Sequence, residues 1–191
     1  MNNKLFFKKL LDYISFEPGK ISRYLTHLKR LKDCSESVNF LYRNIHNLKS
    51  KIGPILFQLP PSFKANKELL INFLGYLDKK HLHVFEFRHS SWFTPEIYEI
   101  LSKHQAALCI TDLNGKLTPE EITSHFTYIR LHGPKNAYTG SYGPARLKKW
   151  QNKIEDWINS QTSVYCYFDN DDKGYAIKDA MKLKEMLSIS G

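Results

Sequence analysis

Nowhere does the 191-residue sequence approach the roughly 18 consecutive apolar residues that a membrane-spanning helix needs. No membrane partner is expected. Cysteine is scarce: Cys34, Cys109 and Cys166 lie far apart and form no CxxC pair. A disulfide scaffold and a zinc ribbon are therefore set aside, and a reducing cytoplasm is the expected compartment. GxGxxG and P-loop motifs are missing, which argues against a dinucleotide or a nucleoside triphosphate. GxSxG and the settings of known catalytic cysteines are missing too. There is no HExxH, and no metal centre is expected. Were one present, it would have to draw on His27, Glu86, His89, Asp112, His132 and Asp169. The sequence names no cofactor, and it contains no repeat or low-complexity tract.

What is present suits a single globular domain. Apolar residues make up 42% and charged residues 25%, with 12 Phe and 11 Tyr to anchor a core. The 28 Lys and Arg outnumber the 19 Asp and Glu, giving a formal charge of +9. Such a surplus favours anionic partners, either a small molecule or a nucleic acid. The lysines are spread along the chain, however, so a solvated basic surface is the plainer account. At the start, MNNKLFFKKLLDYISF is interrupted by Lys8, Lys9 and Asp12 and is expected to form an amphipathic helix, not a signal peptide.

Six segments predict strands: a weak one at Ile14–Phe16 or slightly later up to Ser22, then Pro54–Leu59, Leu82–Arg88, Ala107–Asp112, Phe126–His132 and Ser163–Asp169. Between them runs helical spacing, as in Leu28, Leu31, Val38, Leu41, Ile45 and Leu48, or Leu69, Leu70, Phe73, Leu74 and Leu77. Further stripes are Leu147, Trp150, Ile154 and Trp157, then Ala176, Ala180, Leu183 and Leu187. Thr94-Pro95-Glu96 and Thr118-Pro119-Glu120 each read as a capping hydroxyl, a first-position proline and a first-turn acid.

Alternating strands and helices predict a parallel sheet, open or closed. Alternation within the strands favours closure. Glu86 and Arg88 fall on one face with Phe85 and Phe87 on the other, and Tyr128, Arg130 and His132 share a face opposite Ile129 and Leu131. A strand with one apolar face and polar residues toward its C-terminal end suits a (β/α) barrel better than a doubly wound sheet. A full barrel takes about 250 residues. The expectation is therefore a TIM-barrel-like domain over residues 1–191, with about six parallel strands and the first ones absent.

The polar residues gather where βα-loops build sites. Glu86 with Arg88 is either a structural ion pair or a general base beside an anion ligand. His132 is either a satisfied structural histidine or a proton-transfer group sharing a cavity with Arg130. The loop GPKNAYTGSYG carries Lys135, Tyr138 and Tyr142 and is either mobile or ligand-approaching; both tyrosines are expected to be exposed and able to stack on bases. Asp169 to Asp172 is either a hard-cation loop or, more simply, a cap for the last helix.

These segments together resemble the YecE-like family, a domain of unknown function numbered 72 in its series. The resemblance runs through KISRYLTHLKRL at Lys20–Leu31, GPILFQLPPSF at Gly53–Phe63, FEFRHSSWF at Phe85–Phe93 and TDLNG at Thr111–Gly115. It continues in YIRLHG at Tyr128–Gly133, YTGSYG at Tyr138–Gly143 and YFDNDDKGYAIKDA at Tyr167–Ala180. It implies a TIM-barrel-like fold and no established reaction. By this resemblance the motif positions are His27, Gln58, Glu86, Arg88, His89, Trp92, Asp112, Arg130, His132, Tyr138, Tyr142 and Asn170. We assign proton transfer to Glu86 and His132, and substrate binding to the other ten. Two departures stand out. The strand motifs that members carry upstream of SRYLTH are lacking, which suggests a fragment, a truncated frame or half of a split protein whose missing strands a partner chain supplies. The chain also reads FDND where FNND is usual, which puts a carboxylate at Asp169.

Overall fold

The computed structural model describes residues 5–7, 23–46 and 52–188. In chain order these form β1 (Leu5–Phe7), a π-helical turn (Tyr24–Leu28), α1 (Ser35–Ile45), β2 (Ile55–Gln58), α2 (Lys67–Gly75) and β3 (His83–Glu86). A 3-10 turn (Ser90–Trp92), α3 (Pro95–Lys103), β4 (Ala107–Leu113), β5 (Lys116–Leu117) and β6 (Phe126–Leu131) follow. The order ends with α4 (Gly143–Asn159), β7 (Ser163–Phe168), a 3-10 turn (Asp172–Gly174) and α5 (Tyr175–Ser188). Among the described residues six strands pair in parallel, and β5 alone runs antiparallel. This is the expected α/β class, with strand bounds within two residues of those read from sequence. The weak strand at Ile14–Phe16, with its later variant, lies outside the described residues.

Three local expectations are corrected. Leu5–Phe7 is extended and pairs with Val164–Cys166, so the first segment does not form one continuous helix. Thr118-Pro119-Glu120 starts no helix. Asn114 and Gly115, both at positive φ, make a tight turn that folds Lys116–Leu117 back onto β4. The Thr118 hydroxyl then accepts from the Thr111 N–H at 2.8 Å, and the Thr118 N–H donates to the Thr111 carbonyl at 3.0 Å. The hydroxyl that looked like a cap extends a hairpin. Thr94 does precede α3, with Pro95 in its first turn, but its hydroxyl makes no capping bond.

The fold divides into two compact units, Ser15–Leu108 and Cys109–Gly191 with Met1–Ile14. In Ser15–Leu108, β3 lies between β2 and the first residues of β4, with Phe57 opposite Phe85 and Val84 opposite Ala107. All four β3 residues are buried. Phe57, Phe73, Phe85, Phe87 and Trp92 form an aromatic core with Leu25, Val38, Leu41 and Ile97. Asn66 caps α2 by accepting from the Leu69 N–H at 2.9 Å.

Two histidines two residues apart flank Tyr42 in this unit. His81 stacks on its ring, and the Tyr42 hydroxyl bonds His83 Nε2 at 2.9 Å. The same hydroxyl accepts from the Asp78 N–H, leaving its proton for a neutral imidazole. Burial, helped by the charge of His81, pushes His83 down to about 4. A histidine depressed in the folded state contributes its full stability above the unfolded value, about 6.5, and loses it as pH falls toward 4. Between pH 7.5 and 4.5 this one group is expected to cost about 2–3 kcal/mol of stability. Urea unfolding of wild type and His83→Gln at both pH values measures it. An identical pH response in the two proteins would refute the assignment.

In the other unit the strand order is β1, β7, β6 and the remainder of β4. Register pairs Cys109 with Tyr128, Thr111 with Arg130, Tyr128 with Tyr165 and Arg130 with Tyr167. Paired residues face the same side of a sheet, so these six define one polar and aromatic face. Ile110, Ile129, Leu131, Val164, Cys166 and Phe168 take the opposite face, where they pack with Leu147, Trp150 and Ile154 of α4 and Ala176 and Leu183 of α5.

Candidate functional site

The polar face of Cys109–Gly191 ends in a charged cluster. Asp169 Oδ2 lies 2.8 Å from Arg130 Nη2 and 3.3 Å from His132 Nδ1. Arg130 reaches it from β6, and Asp169 continues β7 by one residue, its N–H donating to the Leu131 carbonyl at 2.8 Å. Asp169 is therefore an ion-pair partner, not a helix cap. The cap position before the Asp172–Gly174 turn belongs to Asp171, whose side chain makes no capping bond. His132 is fully buried, and its N–H donates to the Asp112 carbonyl at 2.9 Å. The Tyr138 ring stands edge-on to the imidazole, centroids 5.3 Å apart, with half its surface exposed.

The loop between them needs a glycine at its first position. Gly133 sits at φ +124°, and a Cβ there would fall 2.5 Å from the carbonyl oxygens of both Asn136 and Thr139. The Tyr138 N–H returns to the His132 carbonyl. Farther along, the buried Asp179 of α5 accepts from the Ser141 hydroxyl at 2.7 Å, the Tyr142 N–H at 2.9 Å and Asn170 Nδ2 at 2.8 Å. Asn170 Nδ2 also donates to the Gly140 carbonyl. Asp179 thus pins the loop to the last helix.

Tyr142 is not the exposed ring expected from its loop, being only 3% exposed. Its hydroxyl accepts from the Gly133 N–H at 3.1 Å and is hydrogen-bonded to Asp112. Burial raises its pKa well above that of an ordinary phenol, and burial also raises Asp112, against the opposing pull of the Tyr142 hydroxyl, Arg146 and Lys153. Register explains the placement: Asp112 stands opposite Leu131, while Thr111 stands opposite Arg130. Asp112 and Tyr142 therefore belong to the helix-covered side, apart from the Arg130 cluster.

In Ser15–Leu108 the fully buried Glu86 accepts at Oε1 from Gln58 Nε2 and Arg88 Nε, both at 2.8 Å. The register that sets Gln58 opposite Glu86 makes this contact. Arg88 retains partial exposure. Burial lowers the pKa of His27, and the cations Arg23 and Arg88 lower it further, which places His27 in the field of this cluster. His89 closes the 3-10 turn by accepting from the Ser91 N–H at Nδ1. Trp92 is fully buried, stacked on Phe87 and donating from Nε1 to the Phe63 carbonyl at 2.7 Å.

Within Ser15–Leu108 the candidate residues are Gln58, Glu86 and Arg88 with His27 in their field, and His89 and Trp92 in one turn. Within the other unit Arg130, His132 and Tyr138 form one group, and Asp112, Tyr142 and Asn170 form another joined through Asp179. No three His, Cys, Asp or Glu come together in a metal-holding group among the described residues. Residue reading missed Asp169 as the partner of Arg130, and Asp179 altogether. It also passed over Tyr165 and Tyr167, whose every-second spacing in SVYCYF was the available signal. Tyr128 stacks on both, with centroids 6.4 and 4.7 Å apart.

Comparison with known proteins gives a consistent picture. A family model described as protein of unknown function DUF72 matches residues 17–191. UPF0759 protein YunF of Bacillus subtilis is 24% identical over 168 residues, covering 73% of this chain. The chain spans 59% of the length of that curated relative. A DUF72 family protein of Thermotoga maritima superposes with a TM-score of 0.76 at 27% identity, covering 87% of this chain and 71% of its own. One from Enterococcus faecalis gives 0.73 at 18% identity, over 89% and 72%, and supports the fold alone. These neighbours are TIM-barrel-like, the class inferred from strand polarity. Among the described residues no helix is long and apolar enough to cross a membrane.

Proposed function

The chain belongs to the DUF72 family, whose function is unknown, and from that premise we propose that it binds a small phosphate-bearing anion at the strand ends and transfers a proton there. The observation that carries this reading is the single carboxylate oxygen of Asp169 shared by Arg130 and His132. A carboxylate beside Nδ1 orients an imidazole and leaves Nε2 as the nitrogen to exchange a proton with substrate. Arg130 supplies positive charge beside it, and the overall surplus of +9 draws anions inward. Tyr138 roofs the imidazole and is the group that must shift to admit a ligand. Isomerisation and hydrolysis are the reaction classes that one base beside one anion ligand serves. Glu86, held by Gln58 and Arg88, is the candidate proton-transfer group of the other unit.

A panel of phosphorylated small molecules, read by thermal shift and by 31P NMR turnover, tests this. Arg130→Ala is expected to weaken binding about tenfold or more, the loss of a charged hydrogen bond. His132→Gln is expected to keep most of the binding and lose roughly 10²–10⁴-fold in turnover. Ligand-induced shifts that survive unchanged in Arg130→Ala would defeat the proposal. Nucleic-acid binding is less well supported, since Tyr142 is buried and only Tyr138 of the two tyrosines can stack.

A further inference from the structure

A hollow of about 280 Å³ opens on the helix-covered side of the unit Cys109–Gly191. Its wall is one face of α4, where Arg146, Lys149, Trp150 and Lys153 recur at i, i+3, i+4 and i+7. Arg146 is held in place, its Nη1 donating to the Pro134 carbonyl at 2.7 Å. The Lys153 ammonium lies 5.2 Å over the Trp150 ring and pairs with Glu120. Across from this face stand Leu117 of the β4–β5 hairpin and Asp112. Gly115 lets the hairpin close down, for a Cβ there would meet the Pro134 carbonyl at 3.3 Å. The hollow thus combines three cations on one wall, an aromatic and an aliphatic surface, and one carboxylate.

From this arrangement we propose that the hollow is a separate anion site, taking a small phosphate monoester whose phosphate lies against Arg146, Lys149 and Lys153. Arginine fixed by a backbone carbonyl offers its remaining fork edge to phosphate oxygens, and the two lysines add rotatable donors. Lys153 exchanges Glu120 for the ligand, a low-cost swap between exposed groups. Asp112, hydrogen-bonded by the Tyr142 hydroxyl, faces the organic part of the ligand and accepts from a hydroxyl on it. The volume is enough to hold a phosphate with a few carbons. None of these residues belongs to the Arg130–Asp169–His132 cluster, and the two sites stand or fall independently.

The test uses the whole chain, 15N-labelled at its tryptophans, with inorganic phosphate and glycerol 2-phosphate as probes. Trp150 lies in the hollow, and Trp150→Phe assigns its indole N–H signal. A saturable shift of that signal is expected in wild type and in Arg130→Ala. In Lys149→Ala/Lys153→Ala, two changes on an exposed helix face, the apparent Kd should rise at least tenfold. Glycerol 2-phosphate should bind more tightly than phosphate itself, and Asp112→Asn should erase that difference. The proposal is overturned by any of three results: no saturation, an equal shift with sodium chloride at matched ionic strength, or a shift that survives the double variant and vanishes in Arg130→Ala. The last would assign the phosphate to the strand-end cluster.

Discussion

Trp92→Ala is expected to destabilise the unit Ser15–Leu108 by about 3–5 kcal/mol, the range for removing a fully buried large aromatic side chain. The ring lies 4.6 Å from Phe87 with only 3° between the planes and meets Phe63 edge-on at 5.6 Å. Truncation leaves a void between them that neither ring can fill without abandoning its other contacts. It also strips the Phe63 carbonyl of its donor at 2.7 Å, which alone is worth about 1 kcal/mol. Trp92→Phe separates the two contributions by keeping most of the packing and losing the hydrogen bond, so a cost of about 1–2 kcal/mol is expected. Equilibrium urea unfolding followed by circular dichroism measures both, since the fluorophore itself is altered. The prediction also distinguishes two roles for a residue of the FEFRHSSWF motif. If Trp92 touched ligand, alanine would abolish binding at near-native stability. If it anchors the turn that follows Arg88, the unit loses stability first.

What could be read from the sequence, and what could not, divides along a physical line. Strands such as Phe126–Leu131 and Ser163–Phe168 announce themselves because β-branched and aromatic residues alternate between an apolar and a polar face. Period two within a strand sufficed to put Arg130 and His132 on one side. It could not say which residues of a neighbouring strand share that side. Asp112 ends its strand as Arg130 nearly ends its own, yet the register sets Thr111 opposite Arg130 and turns Asp112 to the helices. One residue of offset moves a whole side-chain set to the other face. The hairpin at Lys116–Leu117 was hidden by a competing signal: Thr118-Pro119-Glu120 mimics a helix start, while Asn114-Gly115 just before it is the stronger turn. Helical spacing also overran its element at Leu28 and Leu31, where positive φ at Arg30 and Leu31 ends any continuous helix before Ser35. Asp179 gave no local sign at all, because its three donors lie 9 to 38 residues away.

Asp179→Ala is expected to cost about 3 kcal/mol or more, because a buried carboxyl acceptor is withdrawn from two buried donors and a hydroxyl at once. Of the three, the Ser141 hydroxyl can turn to water, and Asn170 Nδ2 keeps the Gly140 carbonyl. The Tyr142 N–H has no such recourse, since its residue is packed against Phe168 and held by the Gly133 N–H and Asp112. Asp179→Asn should fall between, at about 1–2 kcal/mol, since a single carbonyl oxygen can serve only part of the set and its amide opposes the Asn170 amide. The consequence for the site follows from where the pinned residues lie. Ser141 and Tyr142 close the loop that starts at Gly133 and carries Tyr138 over His132, and Tyr142 also supports Asp112. Releasing Asp179 therefore loosens the roof of the imidazole and the floor of the α4 hollow together. Hydrogen exchange is expected to accelerate at the Tyr142 amide, with global stability lowered and the Arg130–Asp169 pair left intact. A loss under about 0.5 kcal/mol, with protection at Tyr142 unchanged, would reduce Asp179 to an ordinary surface acid. It would also remove the link between the last helix and the loop that carries Tyr138 over His132.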